Sequence, residues 1–191
     1  MGTIYNFHDE LTAITAEDLA SGDLTIVYDT SASTPKKVLL SDMGAYIRGY
    51  GSGVVDTTAT SLSITAPLHS GKIVTISSSA PITVTLPATA GTGNRYRFQF
   101  QVVATATTSS IKVANTVDIM QGMVQVYSTV TAHLTAFKAT ATDDTMQFNG
   151  STLGGCLGDW YEFIDVKTGF FQVNGLSAPT GTEVTPFLAN V

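Results

Sequence analysis

The stretch that decides the fold is Tyr96-Arg97-Phe98-Gln99-Phe100-Gln101-Val102. Apolar residues occupy every second position in it, and arginine or glutamine stands between them. In an extended strand successive side chains point to opposite faces, so this spacing separates an apolar face from a polar one. The stretch therefore predicts a β-strand with one buried face and one face in contact with water or a neighbouring molecule.

Similar segments follow one another through most of the chain. The 30 Thr and 16 Ser residues favour strands over helices, because β-branched threonine suits a pleated surface. No solenoid-type repeat and no long interior helix is evident. Strands at a spacing of about 8 to 12 residues are typical of an antiparallel β-sandwich or a jelly-roll-like barrel, and we predict this all-β class. The predicted strands are 62–65, 73–77, 82–86, 96–103, 111–114, 123–127, 134–139, 146–149, 160–166 and 170–173.

The first part of the chain has a different organisation. Leu24, Ile26 and Tyr28 alternate along one strand, and a turn rich in Ser and Thr separates it from a second strand over 37–40. The two strands can pair as a hairpin. Ser41 can cap a short helix that runs through Tyr46. The glycine cluster at 49–53 then breaks the pattern, so we predict an arm over residues 1–53 and a β-rich body over 54–191.

Charge and hydropathy exclude several classes of function. The net charge of −6 opposes direct binding to nucleic acid, whose phosphates attract basic proteins. No apolar run approaches the roughly 20 residues that span a bilayer, so no membrane partner is expected. The N-terminus lacks a signal-peptide pattern, and we expect synthesis in a cytoplasm.

Candidate catalytic groups are few and scattered. His8, His69 and His133 lie in separate segments without the spacing of metal ligands, and each is interpreted as a surface or interface residue. Cys156 stands alone in a glycine-rich stretch and is interpreted as a small buried thiol. No cofactor motif, no metal motif and no activated nucleophile is found, so we predict that the protein is not an enzyme.

The acidic residues raise two further questions. Asp159 and Asp165 share one side of a predicted strand and Glu162 the other, so no pair of carboxylates suited to glycoside hydrolysis is indicated. Asp118, Asp143 and Asp144 could bind calcium, but the spacing of a calcium loop is absent. A loop of solvated acids is the preferred interpretation.

Aromatic residues concentrate near the C-terminus. Trp160, Phe170 and Phe171 belong to this group, which suggests a sugar-binding platform, an oligomer interface or core packing. Phe170 and Phe171 are adjacent and must face opposite ways on a strand. At least one of them should therefore meet a second layer or a neighbouring subunit.

Several phrases of the sequence resemble proteins of tailed-bacteriophage particles. The strand at 23–29, the Ser/Thr turn and the basic strand at 36–42 are similar to the opening of many virion proteins. The phrases at 82–87, 91–93, 155–165, 169–173 and 185–187 resemble small capsid decoration proteins, which are also called cement or head-fibre proteins. The resemblance covers most of the chain and carries no catalytic residues.

This resemblance implies a homotrimer that binds the major capsid protein on the capsid exterior. The arm would dock on the shell and the body would trimerise. Such a clamp adds interface energy that opposes separation of neighbouring coat subunits. The expected trimer-interface residues are Trp160, Phe170 and Phe171, and the expected capsid-docking residues are Leu24, Ile26, Tyr28, Lys36, Lys37 and Tyr46.

Two alternatives stay open. A tail-fibre or receptor-binding module would use the aromatic C-terminal region to contact a host glycan. A polysaccharide-degrading enzyme would need clustered acids, which the sequence does not display.

Overall fold

The structure, a computed structural model, describes residues 53–105, 109–130 and 132–190, together with the backbone of two strands at 24–29 and 34–39. The chain divides into two compact units, Met1–Gly49 and Tyr50–Val191, and this division lies close to the predicted boundary at Gly53. Within the described residues no helix is long and apolar enough to cross a membrane.

The first unit contains the predicted hairpin. Strand β1 (Leu24–Asp29) pairs antiparallel with β2 (Thr34–Leu39). In this register Ile26 lies opposite Lys37 and Tyr28 lies opposite Pro35. The predicted helix from Ser41 through Tyr46 lies outside the described residues.

The second unit is built almost wholly from strands, which confirms the all-β prediction. All ten strands predicted for the body are present. Two strands and a single helical turn, α1 (Ala66–His69), were not predicted. The strands are β3 (Val54–Thr57), β4 (Ser61–Ser63), β5 (Ile73–Ile76), β6 (Thr83–Thr85), β7 (Arg95–Phe100), β8 (Ser109–Lys112), β9 (Ile119–Tyr127), β10 (Leu134–Lys138), β11 (Thr145–Phe148), β12 (Trp160–Lys167), β13 (Phe170–Ser177) and β14 (Phe187–Leu188).

These strands form two sheets. The larger sheet has seven strands in the order β10-β9-β13-β12-β7-β5-β3, and the smaller has five in the order β14-β11-β8-β6-β4. The predicted antiparallel pairing holds for part of each sheet, whereas β3–β5, β5–β7, β4–β6, β6–β8 and β9–β13 are parallel pairs. Both sheets are therefore mixed.

The parallel pairs have a simple topological cause. From β3 to β8 the chain alternates between the two sheets, so that β3, β5 and β7 become neighbours in one and β4, β6 and β8 in the other. Parallel neighbours need a crossover connection, and here the strand in the opposite sheet supplies it. The first part of the body thus winds repeatedly from one sheet to the other. The sequence pattern did not predict this arrangement.

The core lies between the two sheets and is rich in aromatic rings. Tyr96, Phe98 and Phe100 are buried, while Arg97 and Gln99 remain partly exposed, as the alternation predicted. The ring centroid of Phe148, from the five-stranded sheet, lies 5.1 Å from that of Phe100 and 4.8 Å from that of Tyr161 in the seven-stranded sheet. These contacts join the two layers. One face of each sheet is left outside the core and carries side chains that are partly or fully exposed.

Candidate functional site

The carboxylate of Asp159 is a structural hub and not an exposed acid. Asp159 is 4% exposed, and its Oδ2 accepts hydrogen bonds from the backbone N–H of Gly155 (3.0 Å) and Cys156 (2.9 Å) and from the Ser177 hydroxyl (2.5 Å). Its Oδ1 accepts the backbone N–H of Ala178 at 2.9 Å. The carboxylate therefore fastens the loop before β12 to the end of β13, and its oxygens are not available to a substrate.

Two weakly acidic groups surround this hub. The Tyr161 hydroxyl donates to Asp159 Oδ2 at 3.4 Å, and the Cys156 thiol donates to the carbonyl oxygen of Gly150 at 3.3 Å. Burial, followed by the negative charge of Asp159, raises the pKa of Tyr161 well above its ordinary value and the pKa of Cys156 to about 11. The thiol is thus protonated near neutral pH, as expected for an inert buried cysteine.

Cys156 gives a direct test of this local structure. Because only the thiolate reacts, we expect iodoacetamide at pH 8 to modify the folded protein at least about a hundredfold more slowly than the unfolded chain. The rate can be followed by intact mass, and unfolding in guanidinium provides the reference because Cys156 is the chain's one cysteine. Equal rates in both states would show that the loop around Asp159 is open in solution.

Asp165 occupies a second cradle of internal donors. Its carboxylate accepts the backbone N–H groups of Ala90, Gly91 and Thr92 at 2.8 to 3.2 Å and the Thr92 hydroxyl at 2.6 Å. Burial alone would raise its pKa, but the hydrogen bonds from Thr92, Gly91 and Ala90 together outweigh burial, and the pKa lies below its ordinary value. Asp165 therefore holds the turn before β7 against β12.

The three acids considered for calcium are also buried, which corrects the prediction of a solvated acidic loop. Asp118 accepts hydrogen bonds from the Thr89 hydroxyl at 2.7 Å and from the Asn115 amide at 2.8 Å. Its carboxylate therefore holds the loops that contain these two residues together. Asp143 and Asp144 likewise accept donors from neighbouring loops. Across the described ranges no group of three or more His, Cys, Asp or Glu residues is gathered that could hold a metal ion.

The predictions for Glu162 and the histidines have mixed outcomes. Glu162 lies on the face of β12 opposite Asp159 and Asp165, as predicted, so the three carboxylates do not form a catalytic pair. His69 is buried and its Nδ1 accepts the Thr65 N–H at 3.0 Å, so the prediction of a surface residue was wrong for it. The Nε2 of His133 lies 3.1 Å from Glu183 Oε1 at the surface. His8 lies outside the described residues.

The outer face of the seven-stranded sheet carries the protein's one tryptophan. Trp160 is partly exposed and lies between Leu176 of β13 and Gln99 of β7. The guanidinium carbon of Arg97 is 4.5 Å from the centroid of the indole, which is a cation–π contact. Arg97 therefore fixes the ring from the β7 side, and the indole borders an open recess on the β13 side.

This recess has a volume of about 390 Å³ and no charged residue in its lining. It shares Gly122 and Gln172 with a second recess of about 450 Å³, which extends toward Lys138 and Thr140. The first recess is lined by Gly122, Met123, Gln125, Trp160, Gln172, Asn174, Gly175 and Leu176. Sequence reasoning missed it, although isolated glycines within two strands were a usable signal.

The three predicted trimer-interface residues do not form one patch. Phe171 is 0% exposed and packs edge-on against Tyr96, with ring centroids 6.4 Å apart, so it belongs to the monomer core and offers no surface to a neighbour. Trp160 and Phe170 are both partly exposed, but they lie at opposite ends of the sheet. Trp160 is level with Leu176 on β13, six positions from Phe170, which corresponds to about 20 Å.

The predicted docking residues are only partly described. Leu24, Ile26 and Tyr28 lie on β1, and Lys36 and Lys37 lie on β2. Among them only Ile26 and Lys37 lie opposite each other in the hairpin. Tyr46 lies outside the described residues. Their contact with a capsid stays a prediction.

An apolar surface that was not predicted lies at the edge of the same sheet. Strand β10 is the terminal strand there, and Leu134 at its start pairs with Tyr127 at the end of β9. Leu134, Tyr127 and Val130 in the connecting turn are 60%, 46% and 59% exposed. We call these three residues the hairpin tip. An apolar valine between two threonines was the signal in the sequence.

Fold and surface together define an all-β, two-sheet protein whose described acids are committed to internal contacts and whose larger sheet presents apolar and amide side chains outward. Comparison of the chain with protein-family models, with curated proteins and with solved structures finds no match in any of the three.

Proposed function

We propose that this chain is a structural protein of a bacteriophage particle that decorates the capsid, binding the major capsid protein as a homotrimer. The proposal rests on the resemblance of the sequence to decoration proteins and is supported by the two-unit organisation of the chain. A hairpin arm docks on the shell, and the β-rich body faces outward and joins its sister subunits.

The buried carboxylates suit a mechanical role. Asp159, Asp165 and Asp118 each hold a loop through several hydrogen bonds, so the ends of the sandwich are fastened to the sheets. Satisfied buried networks of this kind make a structure rigid. A rigid body keeps its shape when the arm binds the shell. The binding energy of the arm is then not lost in deforming the body.

The exposed hairpin tip is the observation that supports self-association of the body as a trimer. Leu134 and Tyr127 are exposed beside β10, which pairs with no other described strand on its outer side, and edge strands with apolar side chains favour pairing with another chain. Aromatic and aliphatic anchors of this kind dominate the energy of protein interfaces. Contact through the hairpin tip of a sister subunit would cover both the edge and the apolar side chains.

We expect Leu134→Lys to weaken self-association at least about tenfold, because a lysine ammonium cannot be buried in an apolar contact without a partner. Sedimentation equilibrium at several concentrations measures the effect. Val117→Lys is the matched control: Val117 is even more exposed, at 75%, but it lies in the loop before β9, at the far end of that strand from Tyr127. Equal effects of the two substitutions, or none from Leu134→Lys, would contradict the assignment of the hairpin tip.

The capsid partner is tested by mixing the full chain with purified undecorated capsids and measuring co-sedimentation. We expect saturable binding at micromolar concentration, weakened when Lys36→Glu and Lys37→Glu are combined in the arm. Absence of binding at that concentration would argue strongly against a decoration protein. Immunogold labelling of complete virions gives the second readout, since label on tails instead of heads would select the tail-fibre alternative.

A further inference from the structure

We propose that the recess beside Trp160 is an oligosaccharide-binding site. The inference goes beyond the proposed decoration role, because it gives the outward-facing body a ligand of its own. It rests on the make-up of the recess wall, on its neighbouring extension and on the way the indole is held.

The wall combines the two chemistries that a sugar requires. A pyranose has an apolar face of C–H groups and a rim of hydroxyls that both donate and accept hydrogen bonds. Trp160, Met123 and Leu176 supply apolar surface, while Gln125 and Asn174 supply side-chain amides that likewise donate and accept. Within the described part of the chain, neither of these two amides is engaged in a side-chain hydrogen bond with the protein.

Charge narrows the class of ligand. The recess itself has no ionisable residue, so nothing in it would compensate the desolvation of a phosphate or of a strongly charged peptide. Lys138 stands only at the far end of the adjoining recess. Two opposite charges border the recess, the Arg97 guanidinium beside the indole and Glu162 opposite Asn174. A chain of neutral sugars fits this distribution, and a sugar carboxylate would be attracted toward Lys138 or Arg97.

The volume of the recesses and the fixed position of the indole also suit an oligosaccharide ligand. Volumes of about 390 and 450 Å³ fall within the range of roughly 300–1,000 Å³ usual for ligand pockets. The two recesses share Gly122 and Gln172, so a ligand can continue from one into the other. The cation–π contact with Arg97 holds the indole before any ligand arrives, which reduces the entropy lost on binding.

Trp160 provides the readout, since the chain contains no other tryptophan. The full-length protein is titrated with maltohexaose, cellohexaose, chitohexaose and, as the acidic arm, oligogalacturonate, while indole fluorescence is recorded. We expect at least one probe to give a saturable change with a dissociation constant below about 10 mM, the weak end of specific sugar binding. A neutral probe that binds alone places the ligand on the apolar and amide side chains of the recess, whereas preference for oligogalacturonate places it toward Lys138 or Arg97.

Substitutions locate the site without removing the fluorophore. Asn174→Ala and Gln125→Ala should each weaken binding about tenfold, the effect of losing a hydrogen bond to a ligand. Gln147→Ala, an amide on the five-stranded sheet, is the matched control and should change nothing. Melting temperature and capsid co-sedimentation should stay at wild-type values in all three variants, so failure of the sugar site is distinguishable from failure of the decoration role.

Two results would overturn the proposal. One is the absence of a saturable response with every probe. The other is a response whose midpoint is unchanged in both Asn174→Ala and Gln125→Ala, because the ligand would then bind elsewhere.

Discussion

Asp159→Ala should lower the free energy of unfolding of the β-rich body by about 3 to 5 kcal/mol. The substitution removes the acceptor shared by the N–H groups of Gly155, Cys156 and Ala178 and by the Ser177 hydroxyl. The buried Cys156 N–H and Ser177 hydroxyl lose this partner, and the Gly155 N–H keeps only its longer bond to the Tyr161 hydroxyl. Because a domain is stable by only about 5 to 15 kcal/mol, this loss is a large share of the total. Urea unfolding followed by the fluorescence of Trp160 measures it.

Two further variants test whether the loss of stability comes from the hydrogen bonds of the Asp159 carboxylate. Asp159→Asn keeps the shape but presents an NH₂ group to donors, so it should be nearly as unstable as the alanine variant. Asp56→Ala removes an aspartate that also accepts two hydroxyls, those of Thr75 and Ser77, but lies exposed on β3. We expect it to leave the urea midpoint almost unchanged. If Asp159→Ala behaved like Asp56→Ala, the hub would be dispensable and the rigidity argument would fail.

The strands were predictable because their signal is local. Alternation over 96–100 and over 160–165 depends only on the period of two along an extended chain, and both stretches bury the expected side. Pro81 and Pro87 flank β6, which spans Thr83–Thr85, and proline cannot donate to the hydrogen-bond ladder of a sheet. β6 is nevertheless an inner strand, because its neighbours are β4 and β8.

Strand pairing was not predictable from the same information. Whether β5 meets β3 in parallel or β7 meets β12 in antiparallel fashion depends on connections that carry no sequence period of their own. The chain crosses between the sheets through irregular loops of unequal length. The segment from β3 to β8 therefore has no repeating pattern in its sequence. An antiparallel pattern was therefore the default expectation for many short strands.

The roles of the acids were misjudged for a related reason. Asp118, Asp143 and Asp144 were interpreted as solvated loop acids, yet Asp118 is buried and accepts the backbone N–H and the hydroxyl of Thr89, which is distant in the sequence. Donors from the backbone have no side-chain signature, so they cannot be seen in the sequence. Only the density of small residues around 89–94 pointed to a tight cradle.

The recess beside Trp160 shows what a strand pattern can and cannot convey. The parity of β12 predicts that Trp160 faces away from the core, and it does. The glycines at 122 and 175 stand inside two continuous strands, β9 and β13. Gly122 has a φ of +123°, and a Cβ there would collide with the carbonyl oxygen of Val173. The position thus requires glycine, but only the fold shows that both glycines line the recess next to the indole.

The adjacent residues Phe170 and Phe171 allow a direct comparison of a core substitution with a surface substitution. Phe171→Ala should lower the free energy of unfolding by about 3 to 5 kcal/mol, because it empties a fully buried site packed against Tyr96. Phe170→Ala should cost about 1 kcal/mol or less, since that ring is partly exposed and its cation–π contact is with Lys167 at 5.6 Å. Urea unfolding of the two variants, run side by side, measures the difference.

The same pair also tests the two readings of the C-terminal aromatics. If Phe171 contributed to a subunit interface, its replacement would shift the association constant and leave the unfolding of the isolated body unchanged. Burial in the monomer requires the opposite result, in which Phe171→Ala destabilises dilute and concentrated samples alike. Any change in association would then follow from Leu134 and the hairpin tip, because an interface can use only side chains that the folded subunit leaves exposed.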